Sequence, residues 1–528
     1  MVFKILTSTS IFFNKIKKFI EKITLDRLES LLFFGEDYNL SQKQKKRITD
    51  SFEFLTTFSS GKVIYGINTG FGPMAQYVIS DEELNQLQYN LIRSHSNGIG
   101  ESLAPKYVKA VMISRLHTLA LGFSGVSTEL TKTLEAFINN EIYPVIPVHG
   151  GVGASGDLIQ LAHLALALIG EGNVVYKNEI QETKDVLKRL NISPAKLKLR
   201  DGLAVINGTS CMSGIAAINL LYAERLIDWS ILASSVMNEL TASYDDSFSA
   251  ELNESKMHEG QRNVARRMRE HLVDGNVLKK RNDHLFNGEH IKGKEYFSEK
   301  VQEYYSIRCV PQIIGPILDA WENSKKVLED EFNSANDNPI ICNESKNVYH
   351  GGNFHGDYIA YEMDKMKIGI TKLSVLMERQ LNYLMNAKLN DKFPPFLNRG
   401  KLGFNFGLQG MQFTAVSTTA ENQTLSNPMS VHSISNNGDN QDIVSMGTNA
   451  ALLTKKVIDN AFDVLSIQCI AIAQAMDISD NFDSFSNSAK SLYKFVREDV
   501  PELIEDVSLN KNMEQLKNHL MMKQVNGK

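Results

Sequence analysis

His149-Gly150-Gly151-Val152-Gly153-Ala154-Ser155-Gly156-Asp157 places four glycines, a serine and an acidic residue directly before an apolar run. A backbone this poor in Cβ atoms can be compressed until one peptide nitrogen reaches a nearby carbonyl. Ordinary loops compete for the same residues. Gly151 to Gly156 spells G-x-G-x-x-G, the dinucleotide fingerprint, which needs a strand before it and a βαβ unit around it. The preceding run, Tyr143 to Val148, contains Pro144 and Pro147, and proline is kept out of central strands. A Walker loop needs Lys and then Ser or Thr after its second glycine, whereas here Asp157 would repel phosphate. The hydrolase elbow G-x-S-x-G is one residue longer than this spacing. A plain helix-entry turn also fits the loop taken alone, so the rest of the chain must decide.

Downstream, Leu158, Leu161, Leu164, Leu166 and Leu168 predict a helix that ends at Gly170. Its amino terminus aims exposed N–H groups and about half a positive charge at the glycine loop. Ile215 to Glu259 contains neither glycine nor proline and carries apolar residues three and four apart, which reads as one long helix. Two more are predicted from about Tyr358 to Asn390 and from about Ile443 to Ile478. At about 1.5 Å per residue each spans some 45 to 50 Å, and their partly apolar outer faces point to burial in an oligomer. The expected class is mainly α, a long-helix bundle with an irregular amino-terminal part. The expected divisions are a basic extension over 1–20, a loop-bearing domain over 21–212 and a helical bundle over 213–528. The charged stretch 273–300 reads as a surface excursion.

The chain has 528 residues, with 56 basic against 61 acidic side chains and a formal net charge of -5, which leaves no electrostatic footprint for nucleic acid. Cys211, Cys309, Cys342 and Cys469 are scattered without C-x-x-C pairing, so neither zinc nor a disulfide framework is expected, and a reducing cytoplasm suits them. Residues 1–20 lack the order of an export signal: Thr7 to Ser10 break the apolar stretch, Lys15, Lys17 and Lys18 follow it, and no small-residue cleavage site appears. A short basic amphipathic helix, or an upstream start codon, is the better reading. No apolar run approaches the length of a transmembrane helix.

Several turns carry more polar and aromatic residues than a connector needs. They are Tyr65 to Gly72, Ser94 to Gly98, Asn207 to Thr209, Tyr304 to Arg308, Asn336 to Pro339, His350 to His355 and Asn440 to Asp442. Together with the glycine loop, and in this order, they resemble the aromatic amino-acid ammonia-lyases and aminomutases, over roughly residues 25 to 500. The wording is most similar to bacterial tyrosine ammonia-lyases. The resemblance implies a homotetrameric ammonia-lyase-like fold in which loops from three subunits complete each site. It also implies a 4-methylidene-imidazol-5-one made from Ala154-Ser155-Gly156, with no metal and no nucleotide. In that reaction the Gly156 nitrogen attacks the Ala154 carbonyl and Ser155 loses its hydroxyl.

The same resemblance places the β-proton base on Tyr65. A tyrosine's ordinary pKa is near 10, so a phenolate base needs donors or cations beside it. A loop tyrosine that merely packs is the bland alternative. Asn207 is implied as a donor to the ring and Tyr305 as a support for the proton network. Arg308 is implied as the carboxylate grip, a guanidinium fork matching a carboxylate bidentately. Gly72, Asn338, Phe354 and Gln441 belong to the same pocket by resemblance. His350 and His355 have weak metal spacing.

His95 and Glu421 bear on the substrate. A histidine in a small polar turn can meet a phenol or an imidazole and offers a phenyl ring nothing. Glu421 matches a glutamate of histidine ammonia-lyases, where it meets the imidazole. The expected reaction is L-tyrosine to trans-4-coumarate and ammonia. Histidine to urocanate and a tyrosine 2,3-aminomutase are the alternatives, and a helical scaffold with an unmodified loop is the reading without chemistry.

Overall fold

The computed structural model describes residues 21–286, 293, 295–297 and 300–525. The basic stretch 1–20, expected as an amphipathic helix, lies outside them, as does much of the charged part of 273–300. The protein is mainly helical, and the chain divides into two units.

The first unit takes the described part of Met1–Asn219, with Lys325–Asp364 and Pro428–Leu452. Its strands are short and all their pairings are antiparallel: Ile99–Ser102 with Pro147–His149, Tyr143–Pro144 with Asn173–Tyr176, that strand with Glu179–Glu182, and Ile340–Cys342 with Asn347–Tyr349. The two prolines before the glycine loop thus sit in strands of two and three residues. A parallel βαβ setting, which the dinucleotide reading of Gly151 to Gly156 requires, does not surround the loop.

Three helices of this unit pack against one another: Leu84–His95, Leu158–Leu168 and Asp201–Ile206. In Leu158–Leu168 the residues Leu161, Ala162, Leu164, Ala165, Ala167 and Leu168 are buried, as the leucine pattern predicts. Gln88 ties the three-helix group to the Tyr65 turn. Its carbonyl oxygen accepts the Leu203 N–H at 3.0 Å and its amide donates to the Gly66 carbonyl at 3.3 Å.

The second unit comprises Leu220–Ser324, Lys365–Asn427 and Leu453–Lys528, within the described residues. Long helices dominate it, laced by buried polar pairs such as Gln468 Nε2 to Gln380 Oε1 at 2.6 Å and Asn422 Nδ2 to Ser374 Oγ at 3.0 Å. The expected helix from Ile215 to Glu259 is shorter than its pattern: it runs Ser210–Leu240. Ala242 there turns left-handed at φ 47°, the Ser243 N–H bonds the Asn238 carbonyl at 3.0 Å, and the Ser243 hydroxyl bonds the Asn238 side chain at 2.7 Å. A side-chain-assisted stop of this kind uses no glycine or proline, so the usual breaker signal is missing.

The other two long helices are Asp357–Met385 and Gly447–Ile478. Gly447–Ile478 corrects the expectation about membranes: it is long and apolar enough to cross one, with a mean hydropathy of 1.4 in a stretch that is 83% buried. Gln468 and Gln474 break its apolar run, and Gln474 donates to the Leu503 carbonyl at 2.7 Å, as befits a core helix. Exposed apolar side chains include Tyr358, Tyr361 and Ile368 on Asp357–Met385, and Phe404, Phe406 and Phe413.

Candidate active site

A cavity of about 520 Å³ in the first unit gathers most of the residues named from the sequence. Tyr65, Gly72, His95, Ser155, Asn207, Asn338, Phe354 and Gln441 all line it. Ala154 and Gly156 are buried on either side of Ser155. The Ser155 hydroxyl faces Gln441, whose amide donates to it at 3.1 Å.

The loop is held by its own backbone. Gly156 has φ 73°, and a Cβ there would lie 2.0 Å from the Gly208 carbonyl oxygen. Only glycine fits such an approach. The next N–H, of Asp157, donates to that same oxygen at 2.8 Å. Asp157 does not cap the helix it precedes. Its carboxylate accepts the N–H groups of Cys211 and Met212 at 2.8 and 2.9 Å, capping the start of Ser210–Leu240, and takes the Thr448 hydroxyl as well. Two helix amino termini therefore meet at the loop, where the sequence showed one, and both favour negative charge.

Burial pushes the Asp157 carboxyl up to about 6, against the Thr448 hydroxyl, the Met212 and Cys211 N–H groups and the Arg115 charge. Between its ordinary value near 3.8 and about 6, the folded chain keeps a proton that the unfolded chain has released. The group's contribution to stability is thus complete below about 3.8 and is lost as pH rises through about 6. Asp157→Asn keeps an acceptor for the helix N–H groups and removes this titration. The melting temperature of the variant relative to the parent should rise from about pH 4 to about pH 7; a difference independent of pH would count against it.

Asn207 ends the helix Asp201–Ile206, and its amide donates to Asp337 Oδ1 at 2.9 Å and to the Asn338 carbonyl at 3.0 Å. Both partners only accept, so the amide nitrogen must face them and Oδ1 is the group left for a ligand. Asp337 is in turn forked by Arg200 at 2.9 and 3.0 Å, both side chains being fully buried. Asn338 Oδ1 accepts the Gly351 N–H at 2.8 Å.

Tyr65 receives the Gly72 N–H on its phenol oxygen at 3.2 Å, and its ring meets Phe71 edge-on. His95, at the end of Leu84–His95, donates from Nδ1 to the Leu91 carbonyl at 2.9 Å. Burial lowers its pKa, so the ring is neutral near pH 7 and Nε2 is an acceptor.

Leu87, Asn90, Leu91 and Ser94 join His95 on the cavity wall, with Met74, Leu203, Ile206, Asn437 and Asn440. Of these, Ser94 and Asn440 belong to turns that stand out in the sequence, and the others do not. The spacing of Leu87, Asn90, Leu91 and Ser94 is that of one helix face, and that pattern equally describes a core-facing stripe.

Tyr305, Arg308 and Glu421 do not line this cavity and belong to the second unit. Tyr305 is 69% exposed, the Arg308 guanidinium lies 4.8 Å from its ring centre, and both border a separate hollow of about 360 Å³ with Lys300 and Gln302. Glu421, on Gln409–Leu425, accepts the Asn460 amide at 2.6 Å and pairs with Lys456 at 3.6 Å. His350 is exposed and His355 pairs with Asp357 at 3.3 Å. Among the described residues no group of three His, Cys, Asp or Glu side chains could hold a metal ion.

The sequence profile of aromatic amino acid lyases matches residues 23–498. The chain is 40% identical over 450 residues to a tyrosine 2,3-aminomutase of Chondromyces crocatus, covering 84% of each protein. It is 37% identical over 507 residues to a histidine ammonia-lyase of Staphylococcus saprophyticus, covering 95% of this chain and 97% of that one. Among solved structures, the tyrosine aminomutase from Streptomyces globisporus superposes with a TM-score of 0.91 at 34% identity, covering 95% of both chains.

Proposed function

The chain belongs to the aromatic amino acid lyase family, and from that premise we propose that it eliminates ammonia from L-tyrosine to give trans-4-coumarate. The observation that carries the choice of tyrosine over phenylalanine is His95: a neutral ring with Nδ1 committed to the Leu91 carbonyl presents Nε2 as an acceptor. A phenol O–H can donate to it; a phenyl ring cannot, and would leave a half-buried acceptor unpaired.

Ala154-Ser155-Gly156 fits a 4-methylidene-imidazol-5-one. The loop is compressed onto Gly208, Gly156 alone tolerates the approach, and Ser155 opens onto the cavity. Such a group supplies the electrophile that takes up the substrate's amino nitrogen. The rest of the work falls to side chains. Asn207 Oδ1 accepts an N–H of the substrate's amino group, and Phe354 and Leu91 flank the aromatic ring. The Tyr65 oxygen, held by the Gly72 N–H, removes the β-proton. Tyr305, exposed, and Arg308, half-buried beside it, reach the cavity from another copy of the chain in a homotetramer. There Arg308 forks the substrate carboxylate.

Histidine is the second reading, favoured by Glu421 and by the similarity to a histidine ammonia-lyase. The aminomutase outcome is favoured by the similarity to a tyrosine 2,3-aminomutase. One experiment separates them all: incubation with tyrosine, histidine or phenylalanine, with separate detection of coumarate, urocanate, cinnamate and β-tyrosine. Coumarate dominating supports the proposal; urocanate or β-tyrosine dominating replaces it. The chemistry itself is read from the tryptic peptide holding Ala154 to Gly156, expected two waters lighter than its sequence. An unmodified peptide in folded protein ends the lyase reading.

His95→Phe removes the acceptor and should move the tyrosine-to-phenylalanine ratio of kcat/KM towards phenylalanine by roughly 10- to 100-fold, the weight of one unpaired polar group. An unchanged ratio would take His95 out of ring recognition.

A further inference from the structure

Arg115 lies in the middle of the helix Pro105–Ala120, where all neighbouring positions are buried, and is itself 0% exposed. A guanidinium with no access to water is costly unless its donors are used. Here Nη1 donates to the Asn207 carbonyl at 3.0 Å, while Nε and Nη2 have no acceptor among the described residues. Burial lowers its pKa to about 10, with Asp337 and Asp157 opposing that and Arg200 adding to it.

What this charge touches explains its retention. A Cβ on Gly208 would meet Arg115 Nη1 at 2.2 Å, so the guanidinium bears directly on the Gly208 backbone. A Cβ on Gly156 would meet the Gly208 carbonyl oxygen at 2.0 Å and its carbon at 2.3 Å, so Gly208 bears in turn on Gly156. The order is guanidinium, Gly208 peptide, Gly156, with no side-chain atom to soften either contact. From these contacts we infer that Arg115 is a positioning residue for the maturation of the loop: it holds the Asn207–Gly208 backbone against Gly156 and so drives Ala154-Ser155-Gly156 to close on itself.

The inference rests on the proposed ring. In that closure the Gly156 nitrogen bonds to the Ala154 carbonyl carbon. The carbonyl oxygen leaves as water with the amide hydrogens of Ser155 and Gly156, and Ser155 loses its hydroxyl with its α-hydrogen as the second water. No outside reactant is needed. Arg115 touches none of these atoms and acts through Gly208. Its positive charge also faces Asp157, whose N–H holds the Gly208 oxygen from the other side.

The test compares Arg115→Met, neutral and similar in length, and Arg115→Lys, charged but without the fork, with the unaltered chain. The folded fraction of each is isolated by size exclusion, its melting temperature is measured, and the peptide spanning Ala154 to Gly156 is weighed. The unaltered chain is expected to be two waters light; if it is not, the ring reading fails and this inference with it. Given a dehydrated parent, folded Arg115→Met is expected to carry mostly the unmodified mass and Arg115→Lys a mixture, with lyase activity tracking the dehydrated share. Complete dehydration in folded Arg115→Met overturns the inference while leaving the ring reading intact. Should Arg115→Met not fold, complete dehydration in Arg115→Lys overturns it. Failure of both variants to fold assigns Arg115 a purely structural role and overturns it as well.

Discussion

Gly156→Ala should yield a chain whose Ala154 to Gly156 peptide keeps both waters and whose elimination activity falls below detection. Two effects act together at this position. The backbone is left-handed at φ 73°, which costs an L-residue about 1–2 kcal/mol. The new methyl would also sit 2.0 Å from the Gly208 carbonyl oxygen, which belongs to backbone and cannot rotate away. Overpacking of this kind typically costs ~1–3 kcal/mol. The least strained escape separates Gly208 from the loop, the movement that undoes compression of Ala154-Ser155-Gly156. The variant should therefore melt well below the parent and show the full sequence mass. A folded variant with a dehydrated peptide and parental turnover would contradict both the geometry and the cyclisation.

Tyr65→Phe should be the complementary case, with an intact loop and lost proton transfer. The Tyr65 oxygen touches the Gly72 N–H and lines the cavity, but it bonds no atom of the glycine loop. The peptide should remain two waters light and the melting temperature close to the parent's. Removal of a positioned general base lowers turnover by about 10²- to 10⁴-fold, and because the phenyl ring keeps the wall of the cavity, KM should change little. Mixing this variant with Arg308→Met and letting the subunits exchange should restore part of the activity, since Tyr65 and Arg308 would then come from different copies. Parental turnover in Tyr65→Phe would assign the base elsewhere, and an absent mass deficit would assign Tyr65 a part in maturation.

Much of this was legible along the chain because its causes are local. The leucines after Asp157 repeat with the helical period, and Leu158–Leu168 follows from them. Pro144 and Pro147 argue against a dinucleotide fold, and the strands they occupy are short and antiparallel. The turn containing Tyr65, the His95 turn and the Asn207 turn stand out by composition, and the cavity collects residues from all three. The helix end at Leu240 was not legible, because Asn238 and Ser243 stop it with side-chain hydrogen bonds where a glycine would have been the visible mark. Asn207 was expected to donate to the ring. Asp337 and the Asn338 carbonyl, about 130 residues away in sequence, claim its N–H groups instead and leave its oxygen.

Arg115 shows the same limit most clearly. In the sequence it is one basic residue inside an apolar helix, with no motif around it. Its meaning lies in Gly208 and Gly156, and nothing in helical periodicity says which backbone a buried guanidinium will press against. The residue types, their local spacing and the absence of Cβ atoms around Ser155 determined the helices, the turns and the chemistry open to the loop, since torsional freedom and amphipathic period act over a few residues. Which donors are already spent, which helix Asp157 caps and which side chains share the cavity were decided only by tertiary packing. Those facts depend on contacts between segments tens to hundreds of residues apart, where burial removes water as the alternative partner and makes each remaining hydrogen bond count.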